Sequence, residues 1–286
     1  MPGSRQKSPA VSDEHFRRAA IMRGMMELTR EQLKQYEDNG FLVLSDVFDA
    51  AEVAELNGGY SEDLRIDGPH VVAEEGAVTG GAVYAAHLRH RTFATLVRSA
   101  TLLGPVHQLL KCDEVYVYQF KINVKSGLGN NKVDWHQDYP AWKIADRLPA
   151  PTLVNAAVLL DDSTEYNGPL YFIPGSHRAG LTPGLRRDGE APGQHFDPAD
   201  IALGPRELTG LIAERGIRSV QAPAGSVVFF HPEIVHSSPT NMSPLDRRLL
   251  IITYNHRLNL PTTQRPEYIV GRDTGALAAD TMEVAR

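Results

Sequence analysis

Val115-Tyr116-Val117-Tyr118-Gln119-Phe120-Lys121-Ile122-Asn123-Val124-Lys125 is the stretch from which the fold is read. β-Branched and aromatic residues dominate it and partly alternate with polar ones, the composition of a long sheet strand. Side chains two apart share a face, so Val115, Val117, Gln119, Lys121, Asn123 and Lys125 are expected together. Such a face would pass from dry core to wet cavity; an amphipathic edge strand would show the same pattern. Further along, 153–160 is an apolar run short enough for a buried strand, 161–169 is rich in turn residues, and 170–174 is strand-like again. Ser219-Val220-Gln221 and 225–230 read as strands paired around Pro223-Ala224-Gly225, and 247–255 as a last strong strand. Short strands separated by turns, without regular intervening helices, predict a mainly β fold with flanking helices. The expected core, over about residues 113–256, is a double-stranded β-helix, the jelly-roll or cupin-like barrel.

Toward the N-terminus, Thr29 followed by Glu31 and Gln32 predicts a capping box, with Leu33, Tyr36 and the Gly40 stop completing a short helix. A strand over 41–44 and a helix over about 50–64 follow. The Gly-rich 66–90 reads as loop with short strands, a lid candidate that holds His70, Tyr84 and His87. Residues 91–110 read as one helix. Residues 1–27 are expected to be a flexible tail and 28–286 a single domain, with an insertion at 178–215 that ends in a helix over about 206–215, and a C-terminal segment at 257–286.

The chain has 286 residues, 42% hydrophobic and 22% charged, with a net charge of -6. These are globular values, and the acidic balance leaves no basic footprint for nucleic acid or an anionic membrane. Cys112 is the single cysteine. An intrachain disulfide and a Cys-rich zinc site are therefore excluded, which fits a reducing cytoplasm. No run has the length of a membrane span, and the N-terminus lacks the apolar centre of a signal peptide. A cytoplasmic protein acting on a small molecule is expected.

The chemistry concentrates in Trp135-His136-Gln137-Asp138. If the strand continues through it, His136 and Asp138 project to one face and Gln137 to the other. Two histidines and one carboxylate on one face of Fe(II) leave the opposite face open, the arrangement of non-haem iron oxygenases. His236, about a hundred residues beyond Asp138, ends a strand pair that a jelly roll could bring back to the motif, with His231 the alternative third ligand. His177, beside a Gly-Ser turn, reads as a capping or packing residue. Arg247 and Arg248 open the next strand, and a guanidinium there would match the far carboxylate of a dicarboxylate cosubstrate.

The order and spacing of Gln119-Phe120-Lys121-Ile122-Asn123, Trp135 to Tyr139, Asn167-Gly168-Pro169-Leu170, Ile173-Pro174-Gly175-Ser176-His177 and His236-Ser237-Ser238 through Arg247 resemble the phytanoyl-CoA dioxygenase family of Fe(II)/2-oxoglutarate oxygenases. Within it the chain looks most like the branch of ectoine hydroxylase and of hydroxylases of free aliphatic amino acids, such as leucine 5-hydroxylase. The resemblance implies Fe(II) on His136, Asp138 and His236, with 2-oxoglutarate and O2 as cosubstrates. It implies Arg247 on the distal carboxylate of 2-oxoglutarate, with Ser238 and Lys125 beside it. It also implies Gln119, Trp142 and Phe230 on the substrate. Ile251 stands where ectoine hydroxylases carry an aromatic, and Arg265 and Arg272 are the candidates for their later substrate-binding arginine. A free amino acid would need partners for its ammonium and carboxylate; Gln119, Arg265 and His70 are the candidates. Related halogenases replace the carboxylate with a small residue, so Asp138 predicts hydroxylation. Readings of another class are a cupin-like metal-dependent isomerase and a non-catalytic metal-binding protein.

Overall fold

The computed structural model describes residues 24–73, 81–180 and 201–279. Most of the expected tail and residues 181–200 of the expected insertion lie outside the described residues.

Two antiparallel sheets face each other. The larger contains β1 (Phe41–Leu44), β2 (Val71–Ala73), β3 (Gly81–Tyr84), β4 (Val115–Lys125), β6 (Leu153–Leu159), β9 (Val227–Phe230) and β11 (Arg247–His256), in the order β1-β9-β6-β11-β4-β3-β2. The smaller contains β5 (Val133–His136), β7 (Tyr171–Phe172), β8 (Arg218–Ser219) and β10 (His236–Ser238), in the order β5-β10-β7-β8. Among the described residues four helices precede the barrel: α1 (Arg30–Asn39), α2 (Ala50–Asp63), α3 (Arg91–Leu96) and α4 (Ala100–Leu110). Leu56, Phe93, Leu96 and Val106 from these helices pack on the outer face of the large sheet, against Val117, Phe120, Phe229 and Ile252 among others. Full burial of such side chains contributes roughly 1.5–3 kcal/mol each, which fixes the large sheet as a rigid backing. A second apolar layer, including Phe41, Leu159, Phe172, Phe230 and Ile251, fills the space between the sheets.

The capping box at Thr29 is present, with Thr29 and Gln32 each bonding the other's backbone N–H. The expected single helix over 91–110 is two, because the backbone turns extended at Ser99 before α4. The strands expected to pair around Pro223 belong to different sheets: β8 pairs with β7, and β9 lies between β1 and β6. Gly225 makes that crossing possible. Its φ is +86, and an added Cβ would lie 2.1 Å from the Phe48 carbonyl oxygen, so only glycine fits the turn.

The expected face of β4 is corrected by a bulge. Gln119 pairs with Thr253 and Val117 with Tyr254, so an extra residue, Tyr118, stands between two paired positions. A bulge shifts side-chain parity. Val115 and Val117 therefore face the helices together with Phe120, Ile122 and Val124. Tyr116 and Tyr118 join a separate cluster with Trp142 and Ile269, while Gln119, Lys121, Asn123 and Lys125 line cavities.

Candidate active site

β5 and β10 place His136 directly opposite His236, with ring centroids 4.2 Å apart. Antiparallel pairing thus joins two residues a hundred positions apart in the chain. Asp138 arrives differently from the expectation. β5 stops at His136, and Asp138 is the first residue of α5 (Asp138–Ala145). Gln137 between them is extended (φ -114, ψ 141), so alternation persists across the junction and the side chains of 136 and 138 still converge. Gln137 points away and donates to the Gly180 and Glu233 carbonyls. Residues 139–142 continue α5 and do not prolong the strand. Pro140 lies in the first turn, where its missing N–H would have had no helical partner.

Asp138 Oδ1 lies 3.5 Å from His136 Nε2 and 3.8 Å from His236 Nε2. One ligand atom from each residue falls within 4.8 Å of the others. The Nδ1 atoms face backbone carbonyls, of Asp134 at 2.7 Å and Ile234 at 3.0 Å, so both Nε2 atoms are left to turn toward Asp138. Burial, reinforced by His136, pushes the His236 pKa down to about 4, which keeps it a neutral ligand at neutral pH. Burial would raise the Asp138 carboxyl, but His236, His136 and Lys121 together hold it well below the usual carboxylate range. Two imidazoles and an anionic carboxylate, convergent and largely shielded from solvent, fit a divalent iron ion. His231 does not join them: it packs on His177 at 5.1 Å, beside the end of α1.

The orientation of Asp138 rests on residues not singled out from the sequence. Asn155 Nδ2 donates to Asp138 Oδ2 (2.9 Å), and Thr253 donates to Asn155 Oδ1 (2.6 Å). The available signal was an asparagine inside an apolar strand, since a buried amide needs partners. Asn155→Ala is expected to weaken Fe(II) binding by about 10–100-fold, as outer-shell substitutions do, without loss of fold. An unchanged affinity in an Fe(II) titration would mean that backbone alone orients the carboxylate.

Two chambers meet at the triad. The larger, of about 440 Å³, is lined by Lys125, Asn131, Phe230, Ser238, Arg247, Leu249 and Ile251 among others. Arg247 and Lys125 are cross-strand neighbours on β11 and β4. Arg247 is 3% exposed, reaches the Gly168 carbonyl and the Ser238 hydroxyl, and keeps a buried Nε without a hydrogen-bond partner. Burial lowers its pKa only to about 10, so the charge persists at neutral pH. Arg248 is instead committed outward to Asp161, at 2.5 and 2.8 Å. Lys125 donates to the Asn131 carbonyl at 2.6 Å. The result is a cationic end suited to a carboxylate.

The smaller chamber, of about 70 Å³, is lined by Gln119, Trp142, Asp146, Ile201, Arg265 and Ile269 among others. Gln119 donates to the Ile269 carbonyl, which ties the strand to the C-terminal segment that roofs this chamber. His136, Asp138, Lys121 and Tyr84 border both chambers. Phe230 lines the larger chamber beside His236, 5.3 Å between ring centroids, rather than the smaller one. His70 lines neither. It is buried near Asp63 and Arg89, packed on Gly68, so its expected substrate role has no support in the geometry. Arg272 lies in a separate groove with His87, and Arg265 is the arginine at the chamber. Lys121 was recognised only as a strand residue, although its ammonium forms no hydrogen bond or ion pair among the described residues.

Comparison with known proteins agrees with this geometry. The profile of the family "Phytanoyl-CoA dioxygenase (PhyH)" matches residues 36–249. An L-proline trans-4-hydroxylase of Streptomyces griseoviridis is 38% identical over 246 residues, covering 84% of this chain and 91% of that protein. An ectoine dioxygenase of Bordetella bronchiseptica is 32% identical over 269 residues, covering 86% and 83%. The crystal structure of EctD from S. alaskensis with 2-oxoglutarate and 5-hydroxyectoine superposes with a TM-score of 0.75 at 25% identity, covering 92% of each chain. The same enzyme with bound Fe gives 0.75 at 26%, covering 89% of this chain and 88% of the other. No helix among the described residues is long and apolar enough to cross a membrane.

Proposed function

The chain belongs to the phytanoyl-CoA dioxygenase family, as an Fe(II)/2-oxoglutarate-dependent hydroxylase of a small polar substrate, and from that premise we propose that it hydroxylates a free L-amino acid or a close derivative. The observation that carries the reading is the meeting of a cationic chamber and a small polar one at the His136, Asp138 and His236 triad. In this reading the triad holds the iron. Bound iron supplies oxygen activation, coupled to decarboxylation of 2-oxoglutarate to succinate and CO2 and to insertion of one oxygen atom into a substrate C–H bond.

The chain's own part is positioning. Arg247, with Ser238 and Lys125 beside it, fixes the distal carboxylate of 2-oxoglutarate and so sets where its keto end falls. Gln119, Trp142 and Arg265 hold the substrate, and Phe230 and Ile251 close the apolar wall. Asp138 retains its carboxylate in the ligand set, consistent with hydroxylation. An amino acid is favoured over ectoine because Ile251 supplies no aromatic face there, and because the L-proline hydroxylase relative is the more identical of the two compared.

Purified protein loaded anaerobically with Fe(II) and given 2-oxoglutarate, oxygen and a panel containing L-proline, L-leucine and ectoine should form succinate together with a product one oxygen atom heavier. Absence of succinate with every substrate, together with iron binding that survives His136→Ala, would overturn the oxygenase assignment. Turnover of ectoine alone would replace the amino-acid reading with the ectoine one.

A further inference from the structure

Asp146 is a carboxylate in an unfavourable place. It caps the C-terminal end of α5, where the helix dipole is negative, and it is 3% exposed. Burial raises its carboxyl pKa. Its Oδ2 accepts the hydroxyl of Tyr118, itself fully buried. Its Oδ1 is buried and accepts no hydrogen bond; the nearest cationic group is Arg265 Nε at 3.3 Å, outside hydrogen-bonding geometry. The two charged groups come from segments 119 positions apart, and both line the small chamber. A desolvated ion pair with incomplete hydrogen bonding costs stability unless a further group completes it. Lys121 adds positive charge to the inner wall, and among the described residues Asp146 is the one acidic side chain bordering the chamber besides Asp138.

We propose that Asp146 is the ammonium-recognising residue of the substrate chamber and that, with Arg265 beside it, it selects α-amino acids whose nitrogen is free and protonated. This rests on the hydroxylase reading above and names its substrate class. A carboxylate and a guanidinium side by side are the complement of an ammonium and a carboxylate borne on one carbon. Amino acids with the two charges at opposite ends cannot satisfy both partners at once. Molecules lacking the amine leave Oδ1 desolvated and without a hydrogen-bond donor, the situation a buried acceptor tolerates least. Tyr118 occupies Oδ2 and leaves Oδ1 as the oxygen without a hydrogen-bond donor.

The test uses the full chain loaded with Fe(II) and 2-oxoglutarate under anaerobic conditions, with calorimetric binding of matched pairs: L-proline against cyclopentanecarboxylate, and L-leucine against 4-methylpentanoate. Each second member keeps the carboxylate and the shape and lacks the amine. Wild-type protein should bind at least one free amino acid about 100-fold more tightly than its desamino partner. Asp146→Asn should shrink that ratio to below about tenfold while leaving 2-oxoglutarate affinity unchanged. If Asp146 only positioned Arg265, both members of a pair would weaken equally in Asp146→Asn, which overturns the proposal. Equal binding of the two members by wild-type protein also overturns it, so the outcome does not depend on whether the variant folds. Failure of every amino acid to bind while 2-oxoglutarate binds would overturn this inference and leave the iron and cosubstrate assignment standing.

Discussion

Protein carrying His136→Ala is expected to lose at least about 100-fold in Fe(II) affinity and to form no measurable succinate. The reasoning is a lower bound: displacing outer-shell partners of metal ligands already costs about 10–100-fold, and His136 is proposed as a ligand itself. The cross-strand pairing with His236 means that the vacancy cannot be filled by a neighbour. His231, the other histidine of that segment, is held against His177. The fold should persist, because the imidazole sits at a strand end and not in an apolar cluster. Iron affinity within a factor of a few of wild type would remove His136 from the ligand set.

Arg247→Ala should raise the 2-oxoglutarate KM by roughly 30-fold or more, since truncating one member of a buried charged pair costs about 2–5 kcal/mol. Arg248→Ala serves as the comparison. Its guanidinium forks onto Asp161 and is about a quarter exposed, so its loss should be felt in stability and hardly in KM. Equal KM values for Arg247→Ala and wild type would place the cosubstrate anchor elsewhere.

The strands and the triad were legible in the sequence because both are short-range signals. Alternation and apolar runs mark β4, β6 and β11, and a histidine two residues from an aspartate is visible by eye. The misreadings arise where a distant partner decides. The bulge at Tyr118 is set by the register of β11, and nothing local to β4 announces it. The helix after Asp138 was hidden by Pro140, which breaks a helix interior but is tolerated in a first turn. β8 and β9 were joined as a hairpin although Gly225 passes the chain from one sheet to the other. Arg265 was a candidate, but its partner Asp146 was not, because the pair exists only once the C-terminal segment folds over the barrel. His70 was drawn into the site by chemistry alone, and the packing of Gly68 and Tyr84 takes its backbone and ring elsewhere.

The displaced parity of β4 constrains how such an enzyme can diverge. Gln119 reaches one chamber and Lys125 the other, and the six steps between them span roughly 20 Å of continuous strand. In the proposed reading, substrate and cosubstrate are spaced by a backbone ruler whose phase is set by the bulge at Tyr118. A strand that kept Tyr118 in an unbroken alternation would send Gln119 and Lys121 into the helical layer with Val117 and deliver Phe120 and Ile122 to the cavity. New specificities, whether selected in nature or engineered, should arise by point replacement along this strand and by lengthening or shortening the loops and C-terminal roof around it.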